Sequence, residues 1–293
     1  MAASSNPRRI LVVPVVALLG ALLAWAGSAG GQRLGAVPLF AMAVGAAYFI
    51  QWLAFVPAWL RQTERHFDLT GALTYIGVTA GLLAAVAGRG PRTWLLAALV
   101  MIWAARLGTF LFTRIRRAGS DGRFDDIKPD LPRFLGVWTI QGLWVSLTAS
   151  AAWIAMSGNG SQRFDGYAVA GALLWALGFG IEVVADAQKS AFNARHKGRF
   201  VDAGLWSRSR HPNYFGEILL WVGVAIIALP ALSGWHFVGL ASPVFVALLL
   251  TRVSGIPLLE KRAQARWGDD PAYRAYVEAT PVLIPRLTRP GRP

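Results

Sequence analysis

The chain has 293 residues, of which 55% are hydrophobic and only 15% charged, where an ordinary soluble domain carries about 25% charged residues. So apolar a chain cannot cover itself with polar side chains, and a soluble globular protein is excluded. Cys is absent and only four His are present, so disulfides, thiolate metal sites, iron–sulfur clusters and a multi-histidine metal centre drop out as expectations.

A helix that crosses a bilayer needs about 20 mainly apolar residues. In chain order, eight segments fit: 10–26, 36–60, 70–87, 93–113, 134–156, 166–185, 214–229 and 236–253. The first lacks a clear small-residue cleavage site, and another span follows directly, so it reads as a retained helix rather than a signal peptide. The seventh is short and interrupted by glycine, which leaves the count at seven to eight. The expected fold is an all-α, polytopic integral membrane helix bundle. Residues 1–60 are expected to form N-terminal transmembrane helices and residues 61–293 the main membrane domain.

The 29 Lys+Arg against 15 Asp+Glu leave a formal charge of +14. Nucleic acid is one reading of such a charge, but its placement argues otherwise. With eight spans, 24 of the 29 basic residues fall on the side of the N-terminus, four (Arg33, Arg89, Arg92, Arg163) on the opposite side, and Arg106 within a span. A Lys/Arg excess marks the cytoplasmic side, and basic loops beside anionic headgroups account for the charge without nucleic acid. The long polar segments 114–133, 189–210 and 254–293 share that side, so a functional face is expected to be cytoplasmic.

Ionisable groups in or at the ends of spans are costly and point to a site or a polar cavity. Glu182 and Asp186 are one turn apart on the sixth span, and Asn213 and Glu217 repeat that spacing on the seventh, with Trp221 following. Arg106 lies in the fourth span near Trp103, and Gln141 lies in the fifth. Glu64 and Asp68 open the third span ahead of Tyr75. Several have plain structural alternatives: Asp68 as a helix cap, Arg106 as a snorkelling side chain, Gln141 as interhelical glue, Tyr75 as packing. Arg199, Arg208, Arg210 and His211 precede Asn213, with Lys189, Arg195 and Lys197 nearby. Guanidinium groups facing carboxylates at helix ends suit an anionic, hydrogen-bond-rich cofactor. Neither a G-x-G-x-x-G turn after a strand nor a G-x-x-x-x-G-K-[ST] loop is present.

The stretch from Gly204 through Arg210-His211-Pro212-Asn213-Tyr214-Phe215-Gly216-Glu217 to Trp221 resembles the C-terminal pattern of the steroid 5α-reductase family, especially its bacterial branch. Glu182-x-x-x-Asp186-x-Gln188, Leu283-Ile284-Pro285, the segment 63–75, Trp103-Ala104-Ala105-Arg106 and the 121–125 loop extend the likeness over residues 63–285. The resemblance implies an NADPH-dependent reductase of an enone double bond, acting on a steroid or other lipid-like substrate. It carries cofactor-lining roles onto Glu182, Asp186, Arg199, Asn213, Glu217 and Trp221, and onto Arg106 and Arg117. Arg210, His211 and Tyr214 belong to the same motif and are expected at the cofactor. Asn193 stands where the animal steroid enzymes have Arg, which weakens the expectation of NADPH over NADH.

Reduction of this kind places negative charge on the carbonyl oxygen, which a hydrogen-bond donor must stabilise. The family's tyrosine position holds Trp103 here, so Tyr75, oriented by Glu64 or Asp68, is the replacement candidate. The competing expectation is an S-adenosylmethionine-dependent membrane methyltransferase of the isoprenylcysteine or phospholipid type, which shares an Arg-His-Pro-x-Tyr stretch and a later Glu and Tyr-x-x-Tyr, here Glu260 and Tyr273-x-x-Tyr276. A non-enzymatic channel or scaffold is the third. The remaining expectations are a monomer in the bacterial inner membrane with cytoplasmic termini, membrane lipid as surroundings, and no metal or nucleic acid.

Overall fold

A computed structural model of the chain describes residues 11–286, apart from the side chains of residues 117 and 118. Helix α1 (Val12–Gly27) leads to a small hairpin, Arg33–Leu34 against Val37–Pro38. Four long helices follow: α2 (Leu39–Leu60), α3 (Phe67–Ala85), α4 (Pro91–Ala118) and α5 (Leu131–Ser157). Then come α6 (Gly166–Arg195), α7 (Pro212–Ala228), α8 (Ala241–Leu248), α9 (Ile256–Trp267) and α10 (Pro271–Ala279). Seven helical segments among the described residues are long and apolar enough to cross a membrane. The protein is an all-α, multi-pass membrane protein.

Each expected span falls on a helix, with two differences. The short helix is α1, with 16 residues, whereas the seventh span runs for 20, Pro212–Ala231. Gly216 and Gly223 do not break α7, because both are packed against backbone (below). The eighth span is irregular: a 3-10 stretch (Gly234–Leu240), then α8, then a π-helical turn (Leu249–Val253). Pro243 explains the late start of α8, since its ring excludes an α-helical carbonyl four residues earlier and is tolerated only in a first turn.

The described residues form two compact units, 11–168 with 227–242, and 169–226 with 243–286. The division does not fall at residue 60. Tyr48 of α2 shows why. Its hydroxyl donates to the Val16 carbonyl at 2.8 Å, and its ring fills the space where a Cβ on Gly20 of α1 or on Gly142 of α5 would lie. The first two helices are therefore core elements of unit 1.

Within unit 1 the links alternate between two ends, as the span list requires. At one end Gln32 bonds to Ala87 and Gly158, Asn159 Nδ2 to the Gly30 carbonyl, and buried Arg92 to Asp165. At the other, basic end, Glu64 accepts from the Asp121 amide at 2.8 Å and from Lys128 Nζ at 2.7 Å, and Arg65 Nε donates to the Gly119 carbonyl. Between these ends every buried polar group needs an internal partner. Gln51 donates to Thr74, Trp153 to Thr79 and Trp52 to Thr139.

Candidate functional site

Unit 2 is organised by the crossing of α6 and α7. A Cβ on Gly216 would lie 2.5 Å from the Gly178 carbonyl oxygen and 2.7 Å from the Glu182 nitrogen. One on Gly223 would lie 2.6 Å from the Gly171 carbonyl oxygen and 2.7 Å from the Trp175 nitrogen. Both glycine pairs are seven residues apart, so backbone meets backbone along one face of each helix, as small residues permit in membranes. This approach joins the polar groups that the sequence had placed on separate spans. Asn213 Nδ2 donates to Asp186 Oδ1 at 3.2 Å, and Glu182 and Asp186 are both buried. Glu217 follows one turn along α7, and Trp221, a further turn on, is fully buried.

The segment between the two helices folds over the C-terminal half of α6. The Leu205 amide donates to Gln188 Oε1 at 2.8 Å, the Trp206 indole donates to the Ala185 carbonyl at 2.9 Å, and Lys189 Nζ sits 4.7 Å from the Trp206 ring. Gly204 is required here: its φ is +66°, and a side chain would strike Gln188. Residues 208–210 are held from the other side by the chain end. The Arg210 amide donates to the Pro281 carbonyl, Ser209 Oγ to the Leu283 carbonyl, and the Arg286 amide to the Arg208 carbonyl. The Tyr276 hydroxyl donates to the Trp206 carbonyl at 2.8 Å.

These segments and helices α9 and α10 enclose a cavity of about 530 Å³, within the usual range of small-ligand sites. Phe200, Trp206, Trp267, Tyr273 and Tyr276 supply aromatic walls; Lys189, Lys197, Arg199, Arg210, Arg262 and Arg266 supply positive charge. Glu260 is the single acid in the lining, and it is fully engaged: Oε2 accepts from Arg210 Nη1 at 2.5 Å, and Oε1 meets His211 Nε2 at 2.6 Å. Burial holds the His211 pKa below the ordinary histidine value, with the Glu260 hydrogen bond partly offsetting it. Facing a carboxylate, Nε2 of the neutral ring carries the proton. Among the described residues, His211 Nδ1 is then a buried acceptor without a partner, and Arg210 Nε is a buried donor without one. The His211 ring stacks on Tyr214, 5.7 Å between centroids.

Of the residues expected at a cofactor, Arg199, Arg210 and His211 line this cavity, and Glu182, Asp186 and Asn213 form one group at the helix crossing. Arg106 belongs to unit 1, where its guanidinium lies over Phe110 at 5.3 Å. Arg117 has its side chain outside the described residues. The reading from sequence overlooked Phe200, Trp267, Arg262 and Arg266 as site residues; an available signal was the Glu260 and Tyr273-x-x-Tyr276 pattern, which brackets two of the arginines.

In unit 1, Tyr75 is buried and its ring meets Trp103 edge-on at 5.1 Å. Glu64 lies before α3 begins, with both carboxylate oxygens committed to the Asp121 amide and to Lys128. Asp68 lies 3.6 Å from Arg114. It is seven residues before Tyr75 on the same helix, a rise of about 10 Å. The structure thus brings Tyr75, the candidate donor, against Trp103, which stands at the family's tyrosine position, and gives Glu64 and Asp68 the basic partners Lys128 and Arg114.

A family model described as "Protein of unknown function (DUF1295)" matches residues 54–280. The chain belongs to the DUF1295 family. The match takes in all of α3 to α10, and with them both the Tyr75–Trp103 pair and the cavity. This DUF1295 protein is also 27% identical over 229 residues to a protein of Schizosaccharomyces pombe described as uncharacterized protein C594.04c. That alignment covers 67% of the DUF1295 chain and 64% of the yeast protein, so the chain spans a little under two thirds of its relative's length.

Proposed function

We propose that this protein is a membrane-embedded reductase that uses NADPH to saturate an enone on a hydrophobic, lipid-soluble skeleton, with its termini and cofactor cavity on the cytoplasmic side of a bacterial inner membrane. One observation carries the cofactor reading: an aromatic-walled cavity lined by six Lys/Arg side chains, whose single acid among the described residues is already paired with Arg210 and hydrogen-bonded by His211. Flat aromatic faces suit a purine, and guanidinium groups suit phosphate. His211 Nδ1 and Arg210 Nε are buried polar atoms that await partners, so the residues present fit such a ligand. Arg199 and Arg210 would hold phosphates, while Glu182 and Asp186 offer acceptors for hydroxyl or amide hydrogens.

When bound, the reduced nicotinamide supplies hydride to the enone β-carbon. The protein's own part is to stabilise the charge that develops on the carbonyl oxygen. Tyr75 is assigned that role, because its phenol is a stronger donor than the Trp103 indole and can also pass on a proton. Lipid-facing spans give an apolar substrate access without crossing water.

One observation favours methyl transfer from S-adenosylmethionine: Glu260, Tyr273 and Tyr276 line the same cavity as Arg210 and His211. Charge weighs against it, since that cofactor carries a sulfonium and no phosphate. Titration of the detergent-purified full chain with NADPH, NADH and S-adenosylmethionine separates the readings, followed by nicotinamide absorbance with a panel of lipid enones. Enone-dependent NADPH oxidation is expected. Binding of S-adenosylmethionine with no affinity for either nicotinamide dinucleotide would transfer the assignment to methyl transfer.

A further inference from the structure

A second cavity, of about 720 Å³, lies at the basic end of unit 1 and belongs to no part of the reductase reading. We propose that it binds the headgroup of an anionic phospholipid, with the phosphate held by Arg61 and Arg65. Both arginines are exposed and line the cavity, one at the end of α2 and one in the link to α3. The link between them turns sharply. Gln62 takes a φ of +49°, rare for a residue other than glycine, and its side-chain amide donates back to the Trp59 carbonyl at 2.8 Å. Arg65 Nε is held by the Gly119 carbonyl at 2.9 Å, which fixes the guanidinium plane and leaves its terminal nitrogens for a ligand.

Charge defines the ligand. Glu64 is the single acid in the lining, and its two oxygens are occupied by the Asp121 amide and Lys128. Lys128 is paired with Glu64 and, outside the cavity lining, with exposed Asp125 at 3.1 Å, so within the lining Arg61 and Arg65 present two positive charges with no carboxylate of their own, which match phosphate. A zwitterionic headgroup would bring an ammonium group beside two guanidiniums, with both oxygens of the lining carboxylate Glu64 already taken. Phosphatidylglycerol or a related amine-free headgroup therefore fits, and phosphatidylcholine does not.

The surroundings select a lipid over a free phosphate. The cavity floor is apolar, formed by Ala54, Pro57 and Ala58. Beside it, Phe49, Leu53, Val56 and Leu60 are exposed on α2, at a spacing that forms one continuous helical stripe. The stripe ends at Arg61, so acyl chains lying along it deliver a phosphate to the two arginines. Basic pockets between membrane helices at the cytoplasmic side hold anionic headgroups in this way.

The test is native mass spectrometry and thermal melting of the delipidated full chain, titrated with phosphatidylglycerol, phosphatidylcholine and glycerol 1-phosphate. Phosphatidylglycerol should bind and raise the melting temperature where phosphatidylcholine does not. Each Arg→Gln change, Arg61→Gln or Arg65→Gln, should weaken it about fivefold, the effect of one basic residue near an anionic lipid. Arg274→Gln removes an exposed charge elsewhere and should change nothing. Arg61→Lys with Arg65→Lys should retain part of the preference if the glutamine variants misfold. Equal binding of the two lipids by the wild type overturns the proposal without recourse to any variant. So does saturation by glycerol phosphate alone, which would make this a soluble-phosphate site, or full lipid preference in the Arg61→Gln, Arg65→Gln double variant.

Discussion

Glu260→Gln tests the cavity most directly. The carboxylate gives one oxygen to Arg210 at 2.5 Å and the other to His211 at 2.6 Å, and its side chain is 29% exposed. Glutamine preserves the shape, but its amide offers one acceptor, and its NH₂ meets the second donor head-on. A hydrogen bond involving a charged group contributes about 1.5–3 kcal/mol. Partial exposure places the loss near the lower end, at about 1.5–2 kcal/mol. If Arg210 and His211 are held in place for a nucleotide, NADPH should bind about 10- to 30-fold more weakly, measured by calorimetry on detergent-purified protein with unchanged helix content. The variant also predicts a pH effect. His211 is held below its ordinary pKa by burial, with Glu260 opposing, so the unfolded chain takes up this proton at higher pH than the folded one. The histidine's contribution is thus complete above the ordinary histidine pKa and is lost as pH falls toward the lowered folded value. Without the carboxylate charge that value falls further, and melting temperature should decline more steeply on acidification than in the wild type. Unaltered NADPH affinity together with parallel pH–stability curves would refute the assignment of Glu260 as the residue that positions Arg210 and His211.

Tyr75→Phe keeps the edge-on contact with Trp103 and removes only the hydroxyl; kcat and kcat/KM should fall together by about 10²–10³. If turnover survives Tyr75→Phe but not Trp103→Phe, the donor lies on α4. Glu64→Gln should lower thermal stability by roughly 1–3 kcal/mol, because Lys128 loses one charged partner and keeps Asp125 at 3.1 Å, with little change in turnover per folded molecule; a specific loss of kcat would place Glu64 in the chemistry. Burial would raise the Glu64 pKa, but Lys128 and the Asp121 amide carry it below the usual range. The wild type should therefore lose this stabilisation as pH falls from the ordinary glutamate pKa through the lowered one, and the glutamine variant should not. Gly216→Ala inserts a methyl group against backbone atoms that cannot swing aside, and should cost about 1–3 kcal/mol in a melting assay and weaken NADPH binding through the Asn213–Asp186 contact.

The membrane spans were legible because lipid demands long apolar runs, and the i,i+4 pairs Glu182/Asp186 and Asn213/Glu217 because helical spacing is a local property. Their union through Asn213 and Asp186 was suggested by the family resemblance rather than by spacing. The cavity was harder to foresee. Phe200 and Arg199 meet Arg262, Arg266 and Trp267 only after some sixty intervening residues have been folded, and nothing in either stretch alone distinguishes a cavity wall from a solvated basic segment. Glu64 shows how a long-range partner stays hidden: sequence sets this carboxylate near Tyr75, and the chain, leaving α2 and turning at Gln62, also brings it to Lys128, sixty-four residues later. The irregular stretch from Gly234 to Val253 was hidden because hydropathy is blind to Pro243.

The glycine contacts between α6 and α7 have a mechanical consequence. Because Gly216 and Gly223 of α7 lie directly against backbone of α6, at Gly178 and Glu182 and at Gly171 and Trp175, no layer of side chains lies between them to act as a lubricant. A slide of one residue would drive a Cβ into a peptide plane, so the two helices move as a single strut. Asn213 and Asp186 then keep their separation whatever the bilayer does around them. Any admission of a ligand to the cavity is left to the segments hung on that strut, residues 196–211 and 254–286.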